Sequence, residues 1–272
     1  MRTRPNVIGG VVAAVWLAII LIPILLMLRA AFDTQAGYAQ NGPLALPSTL
    51  TLENFVAAID GGFLRNLANS AIITAGTVGL VLLVVPPLSF AIVRSTSRTV
   101  SNAFRLMLLG LAIPAQVVVV PVSYLIIQLG LNNSLLGVIL PTTAFAIPVC
   151  TLVLTGAMRN IGDELYEAMA IDGASTMRIY TRMVLPLSKG GLATVIVFAA
   201  LQAWNGFLLP LVLARSPEVT VATVALNQFR SQYSVNIPGL MAAVVLTIIP
   251  ILLVYLFARR ALVAGVMGMG GK

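Results

Sequence analysis

Glu167, Asp172, Arg178 and Pro186 stand in a polar stretch, EAMAIDGASTMRIYTRMVLPL from Glu167 to Leu187, that interrupts an otherwise apolar chain. With its flanks this island carries Asp163, Glu164, Glu167 and Asp172, half of the eight acidic residues, together with Arg159, Arg178, Arg182 and Lys189. Charges gathered in one water-facing segment suit docking, on a protein or on lipid headgroups. A second polar group, Gln202, Trp204 and Asn205, lies in apolar surroundings, as do Gln116 and Tyr124. An amide in hydrocarbon must find a partner, and amides, hydroxyls and aromatics together suit a neutral polyol; the same groups also serve as glue between helices. The catalytic inventory is poor. There is no His, which removes His metal sites and His proton relays. The single cysteine, Cys150, lies in an apolar run and cannot form an intrachain disulfide. No clustered nucleophile, acid or metal set supports a membrane enzyme.

These residues are set in a membrane protein: 59% of the chain is hydrophobic and 9% charged, against roughly 25% charged in soluble domains. Six segments reach the ~20 apolar residues that a spanning helix needs, about 7–28, 69–93, 104–128, 135–158, 191–214 and 238–258. The sequence thus predicts an all-α protein of six transmembrane helices, one domain over residues 1–272, with the polar island at 159–190. The first segment is too long for a signal-peptide core and reads as a retained span. Lys and Arg fall mostly on one side: Arg2, Arg4, Arg94, Arg98, Arg105, the island's four, Arg259, Arg260 and Lys272, against Arg29, Arg65, Arg215 and Arg230. Both termini and the island are therefore expected in the cytoplasm. Topology accounts for the net charge of +8, and no basic and aromatic patch points to nucleic acid. No carboxylate falls within any span, so proton or sodium coupling through a buried acid is disfavoured. A secondary transporter would also want inverted repeats, and none is visible.

Local signals in the island predict a helix, a glycine elbow, a second helix and a proline stop. Asn160 is an expected N-cap, with Asp163 and Glu164 in the first turn, where the helix dipole favours acids. Ile161, Leu165, Ala168 and Met169 form an apolar stripe, while Asp163 and Glu167 stack on the opposite face. Gly173 after Asp172 supplies the left-handed residue that ends a helix. Ser175 is placed to cap the next helix, which carries Arg178 and Arg182 until Pro186 disfavours helical geometry at Leu185. In the fifth span Gln202 and Asn205 share a helical face and Trp204 points away from Gln202.

The pattern alone leaves a lipid-lying hairpin and a docking element equally open. The run through Glu167, Ala168, Met169, Asp172, Gly173, Ala174, Leu185 and Pro186 resembles the EAA loop of permease subunits in binding-protein-dependent ABC importers. AWNGFLLPL at Ala203 to Leu211, NQFRSQYSVNIPGLMA at Asn227 to Ala242 and TLENF at Thr51 to Phe55 are similar to segments of the carbohydrate-uptake branch. The likeness covers most of the chain and is strongest to the six-span subunit of the maltose-type permease pair. Met169 departs from the second alanine of EAA, Gly206 stands where an acid is common, and Gly190 replaces a frequent proline.

The resemblance implies a type I importer fold in a prokaryotic plasma membrane and a non-catalytic subunit that forms half of a sugar pathway. Glu164, Glu167 to Met169, Asp172 to Ala174, Arg178, Leu185 and Pro186 would couple it to the ATPase. Gln202, Trp204, Asn205, Gln116 and Tyr124 would line the path. The implied partners are a second permease subunit, two ATPase subunits, an extracytoplasmic solute-binding protein, the sugar and membrane lipid. No cofactor is expected on this chain, since it lacks the phosphate loop GxxxxGK followed by Ser or Thr. ATP and Mg would sit on the ATPase subunits. Permeases for glycerol-phosphate-type or other small polar solutes are the alternative, disfavoured because an anion wants positive groups that the span interiors lack.

Overall fold

The structure, a computed structural model, describes residues 7–47, 49–230 and 235–267. Part of the Asn227 to Ala242 segment and the terminal charges Arg2, Arg4 and Lys272 lie outside them. The described residues are helical, with no strand and a single isolated bridge between Arg230 and Val235.

In chain order the helices are α1 (Val7–Ala31), α2 (Gln35–Asn41), α3 (Glu53–Asp60), α4 (Phe63–Arg94) and α5 (Arg98–Leu109). They continue as α6 (Ala115–Gln128), α7 (Leu135–Arg159), α8 (Asp163–Ile171), α9 (Thr176–Ile179) and α10 (Leu185–Leu187). The last four are α11 (Lys189–Trp204), α12 (Leu208–Leu213), α13 (Ala222–Ala225) and α14 (Ile237–Met267). Among the described residues Val7–Ala31, Phe63–Arg94, Leu135–Arg159 and Ile237–Val254 are each long and apolar enough to cross a membrane, and counting each of two bent pairs as one span gives six.

One of those bends and a separate helix break correct two expected straight spans. Residues 98–128 turn through 107° between Arg98–Ala112 and Ala115–Gln128. The bend falls at Pro114, which lacks an N–H and pushes Ile113 into extended geometry. The expected span at 191–214 ends as a helix at Trp204 and resumes only at Leu208, because Asn205 and Gly206 interrupt it. Upstream it meets Thr176–Leu187 at 75°. Other prolines, including Pro86, Pro87, Pro141 and Pro148, lie inside continuous helices.

The chain forms two compact units, residues 1–64 with 225–252, and residues 65–224 with 253–272. In the first, α1 buries none of its apolar window, as suits a face turned to lipid. At its end Arg29 pairs with the fully buried Asp33 at 2.9 Å. Asn54 Nδ2 donates to the Ala31 and Asp33 carbonyls, and Phe32 stacks on Phe55 at 5.1 Å.

The second unit is built around α7, half of whose apolar window is buried. Val81 and Val85 of α4 and Val195 and Ala199 of α11 join Ala146, Cys150, Leu154 and Met158 of α7 in one core. Small residues set the approach: a Cβ on Gly191 would stand 2.5 Å from Ala157 Cβ, and one on Gly76 would stand 2.8 Å from Ile139 Cδ1. A second core joins Ile73, Ile126, Val138, Ile139, Leu213 and Val221. Thr142 and Thr143 satisfy their buried hydroxyls on the Val138 and Ile139 carbonyls.

Candidate functional site

The island folds as a short helical hairpin of α8, an elbow, and the continuous run α9, Tyr180–Val184 and α10. Gly173 has φ +72, and its N–H donates to the Ala170 carbonyl while that of Ala174 donates to the Met169 carbonyl. This pairing is the helix-ending motif that needs a left-handed residue. Asp172 is the C-cap, and Ser175 Oγ accepts the Arg178 N–H at 3.4 Å to open the second leg. Both turn devices stand where the residue types predict them.

Three local expectations change. Asn160 closes α7 as its C-cap and does not open α8, whose N-cap is Gly162. Leu165 and Ala168 of the expected stripe are exposed; the inward side of α8 is Tyr166, 5% exposed, with Met169 one turn on and Ile161 packed before it. Leu185 stays helical before Pro186, because Tyr180–Val184 widens into a π-turn. A proline at the start of a fresh helical turn gives up an N–H that has no partner there. Leu185 packs on the core, whereas Pro186 is exposed.

The hairpin is held to the membrane-spanning helices by groups outside the expected site. Arg94, the last residue of α4, places Nη1 2.9 Å from Asp163 Oδ1 and its guanidinium carbon 4.1 Å from the Tyr166 ring centroid. One turn earlier Phe90 meets the Tyr180 ring at 5.2 Å. Burial raises the Tyr166 phenol above its ordinary range; the Arg94 charge pulls it back and Asp163 pushes it up. Arg94 read in sequence as a topological charge, and only its position across 69 residues reveals its partner.

Glu164, Glu167, Ala168, Asp172, Gly173 and Arg178 remain exposed along the hairpin, while Met169 and Ala174 are half-buried beneath it. The hairpin thus presents carboxylates, a guanidinium and the apolar Leu165, Ile171 and Met177 outward, and turns Tyr166, Met169 and Val184 inward.

At the other polar cluster Trp204 is 8% exposed, Gln202 is half-buried and Asn205 is exposed. Trp204 Nε1 and Gln202 Oε1 are buried and meet no hydrogen-bond partner among the described residues. Asn205, just beyond the helix, turns its Nδ2 back onto the Leu201 carbonyl at 2.9 Å. The break is fixed by Thr223, whose Oγ1 donates to the Gly206 carbonyl at 2.6 Å. Gln116 and Tyr124 are exposed on α6, and among the described residues no hydrogen bond joins them to that cluster. No group of His, Cys, Asp or Glu among the described residues could hold a metal.

The binding-protein-dependent transport system inner membrane component family matches residues 87–268, from Pro87 of α4 through the hairpin and α14. The chain belongs to this family. The putative ABC transporter permease protein ORF2 of Caldicellulosiruptor sp. is 32% identical over 254 residues, covering 93% of this chain and 92% of that protein. The diacetylchitobiose uptake system permease protein NgcG of Streptomyces coelicolor is 31% identical over 259 residues, covering 94% and 85%. A bacterial ABC transporter involved in the import of the acidic polysaccharide alginate has a chain of the same fold, with TM-score 0.79 at 22% identity over 96% of this chain and 98% of that one. The fold is thus that of a type I ABC importer permease, and the hairpin and the α11 break are features of an ABC permease chain.

Proposed function

We propose that this permease is the membrane-spanning subunit of an ATP-driven importer of a neutral sugar, an oligosaccharide or disaccharide, and that the hairpin at 163–187 is its coupling element. All 272 residues act as one transmembrane domain, with both termini and the hairpin in the cytoplasm of a plasma membrane. A second permease subunit completes the pathway, two ATPase subunits bind ATP and Mg, and an extracytoplasmic binding protein delivers the solute. The observation that carries this reading is the hairpin itself, with Glu164, Glu167, Ala168 and Arg178 outward and Tyr166 and Met169 inward on the core. Closure of the ATPase pair would move it, and the 75° joint between Leu187 and Lys189 would carry that movement into α11 and the spans. The sugar assignment rests on two things: relatives named for sugar uptake, and the exposed amide of Asn205 beside the half-buried Gln202 in a span that carries no charge.

The test is co-expression with the ATPase and companion permease. Glu167→Lys reverses an outward charge. Gly173→Val puts a branched residue at φ +72, a strain of ~1–2 kcal/mol. Both variants are expected to insert in the membrane and to lose most ATPase co-purification. Wild-type co-purification in both would return the hairpin to the lipid surface.

A further inference from the structure

We infer that Arg94 is a positioning residue that locks the cytoplasmic end of α4 to the first leg of the hairpin, beside the Phe90 contact with the second leg, so that α4 and the hairpin move as one body. The inference rests on the docking reading above and deepens it by naming a route that the backbone does not supply. Backbone continuity ties α8 to α7 and α10 to α11. It says nothing of α4.

Phe90 and Arg94 are four apart and so lie on one face of α4. Phe90 packs on Tyr180 of the second leg, at 5.2 Å between ring centroids. Arg94 packs on the first leg through two contacts three residues apart, the carboxylate of Asp163 and the face of Tyr166. The dipoles agree with the pairing, since Arg94 ends α4 and Asp163 opens α8. An exposed ion pair by itself contributes little, and Asp163 is 83% exposed. Tyr166 changes the balance. It is 5% exposed and belongs to the core cluster that includes Met158 and Val184, so the guanidinium lies over the face of a ring whose movement packing restricts. Arg94 is thus pinned between a rigid ring and a charge. A π-turn under Tyr180 lets the second leg present its ring to Phe90 while the chain bends toward α11.

The experiment uses the assembled complex in lipid nanodiscs, in a Cys150→Ser background. Spin labels go on cysteines at Ala91 of α4 and Ala170 of α8, both exposed, with MgATP and vanadate as the probe. With Arg94 in place the distance distribution is expected to be narrow and the same with and without nucleotide. Arg94→Gln is expected to broaden it and make it shift with nucleotide, and Arg94→Lys to restore most of the narrow population. Asp163→Asn removes the pair from the other side and should broaden the distribution in the same direction, which keeps the test decisive if Arg94→Gln fails to assemble. A nucleotide-dependent shift with Arg94 intact, or an unchanged distribution in the assembled variants, overturns the inference. Failure of the docking reading shows separately, as loss of ATPase from the unsubstituted complex.

Discussion

At the scale of single residues, asparagines do much of the joining. Asn133 has φ +54, and its Oδ1 accepts the Arg215 and Ser216 N–H groups at 3.0 and 2.9 Å, while its own N–H donates to the Leu213 carbonyl. Asn69 Nδ2 reaches the Glu218 and Thr220 carbonyls at 2.9 Å each. Asn133→Ala removes an acceptor for two donors and strains the backbone, a loss of roughly 1–3 kcal/mol. Hydrogen exchange at Arg215 and Ser216 should accelerate in that variant and stay slow in Asn133→Asp, which keeps an oxygen there. In the proposed pathway Asn205 is exposed and Gln202 is half-buried beside it. Gln202→Ala with Asn205→Ala is expected to reduce sugar uptake in reconstituted vesicles while the complex assembles and the binding protein keeps its affinity. Unchanged uptake would leave the two amides as glue between helices.

At the scale of elements, the approach of α11 to α7 is set by a glycine with no room for a methyl group. Gly191→Ala would place Cβ 2.5 Å from Ala157 Cβ, so overpacking should cost roughly 1–3 kcal/mol. Gly156 lies on the same helix as Ala157 but has nothing within 4 Å. Gly156→Ala should raise stability by about 0.5–1 kcal/mol, the gain in helix propensity. Thermal unfolding of the purified complex should move down for the first and up for the second. Residues 98–128 show how an element can mislead: their composition satisfies one span, yet the chain turns through 107°. A hydropathy window counts apolar residues and ignores direction, and only the Ile113–Pro114 step hints at a turn.

At the scale of the whole molecule, the uneven loop charges set the proposed orientation. Single cysteines at Gln40, Ser97 and Ser175, in the Cys150→Ser background, should separate on labelling of intact cells with an impermeant maleimide. Gln40 should react, and Ser97 and Ser175 should not until the membrane is opened. Labelling at Ser175 in sealed cells would place the hairpin outside and remove any contact with a cytoplasmic ATPase.

The sequence by itself determined the class of molecule and the devices that act locally. Long apolar runs can satisfy their backbone in lipid only as helices, so spans are legible from composition. The Gly173 elbow and the Ser175 cap were legible too, because each depends on neighbours within five residues. The tertiary structure decided what lies far apart in the chain. Tyr166 rather than Leu165 faces inward because the core it meets is made by α7 and the second leg. Arg94 finds Asp163 across 69 residues, and α11 breaks at Asn205 where Thr223 reaches back to Gly206. Such pairings depend on how helices pack, and the side-chain geometry that selects them exists only once the helices are together.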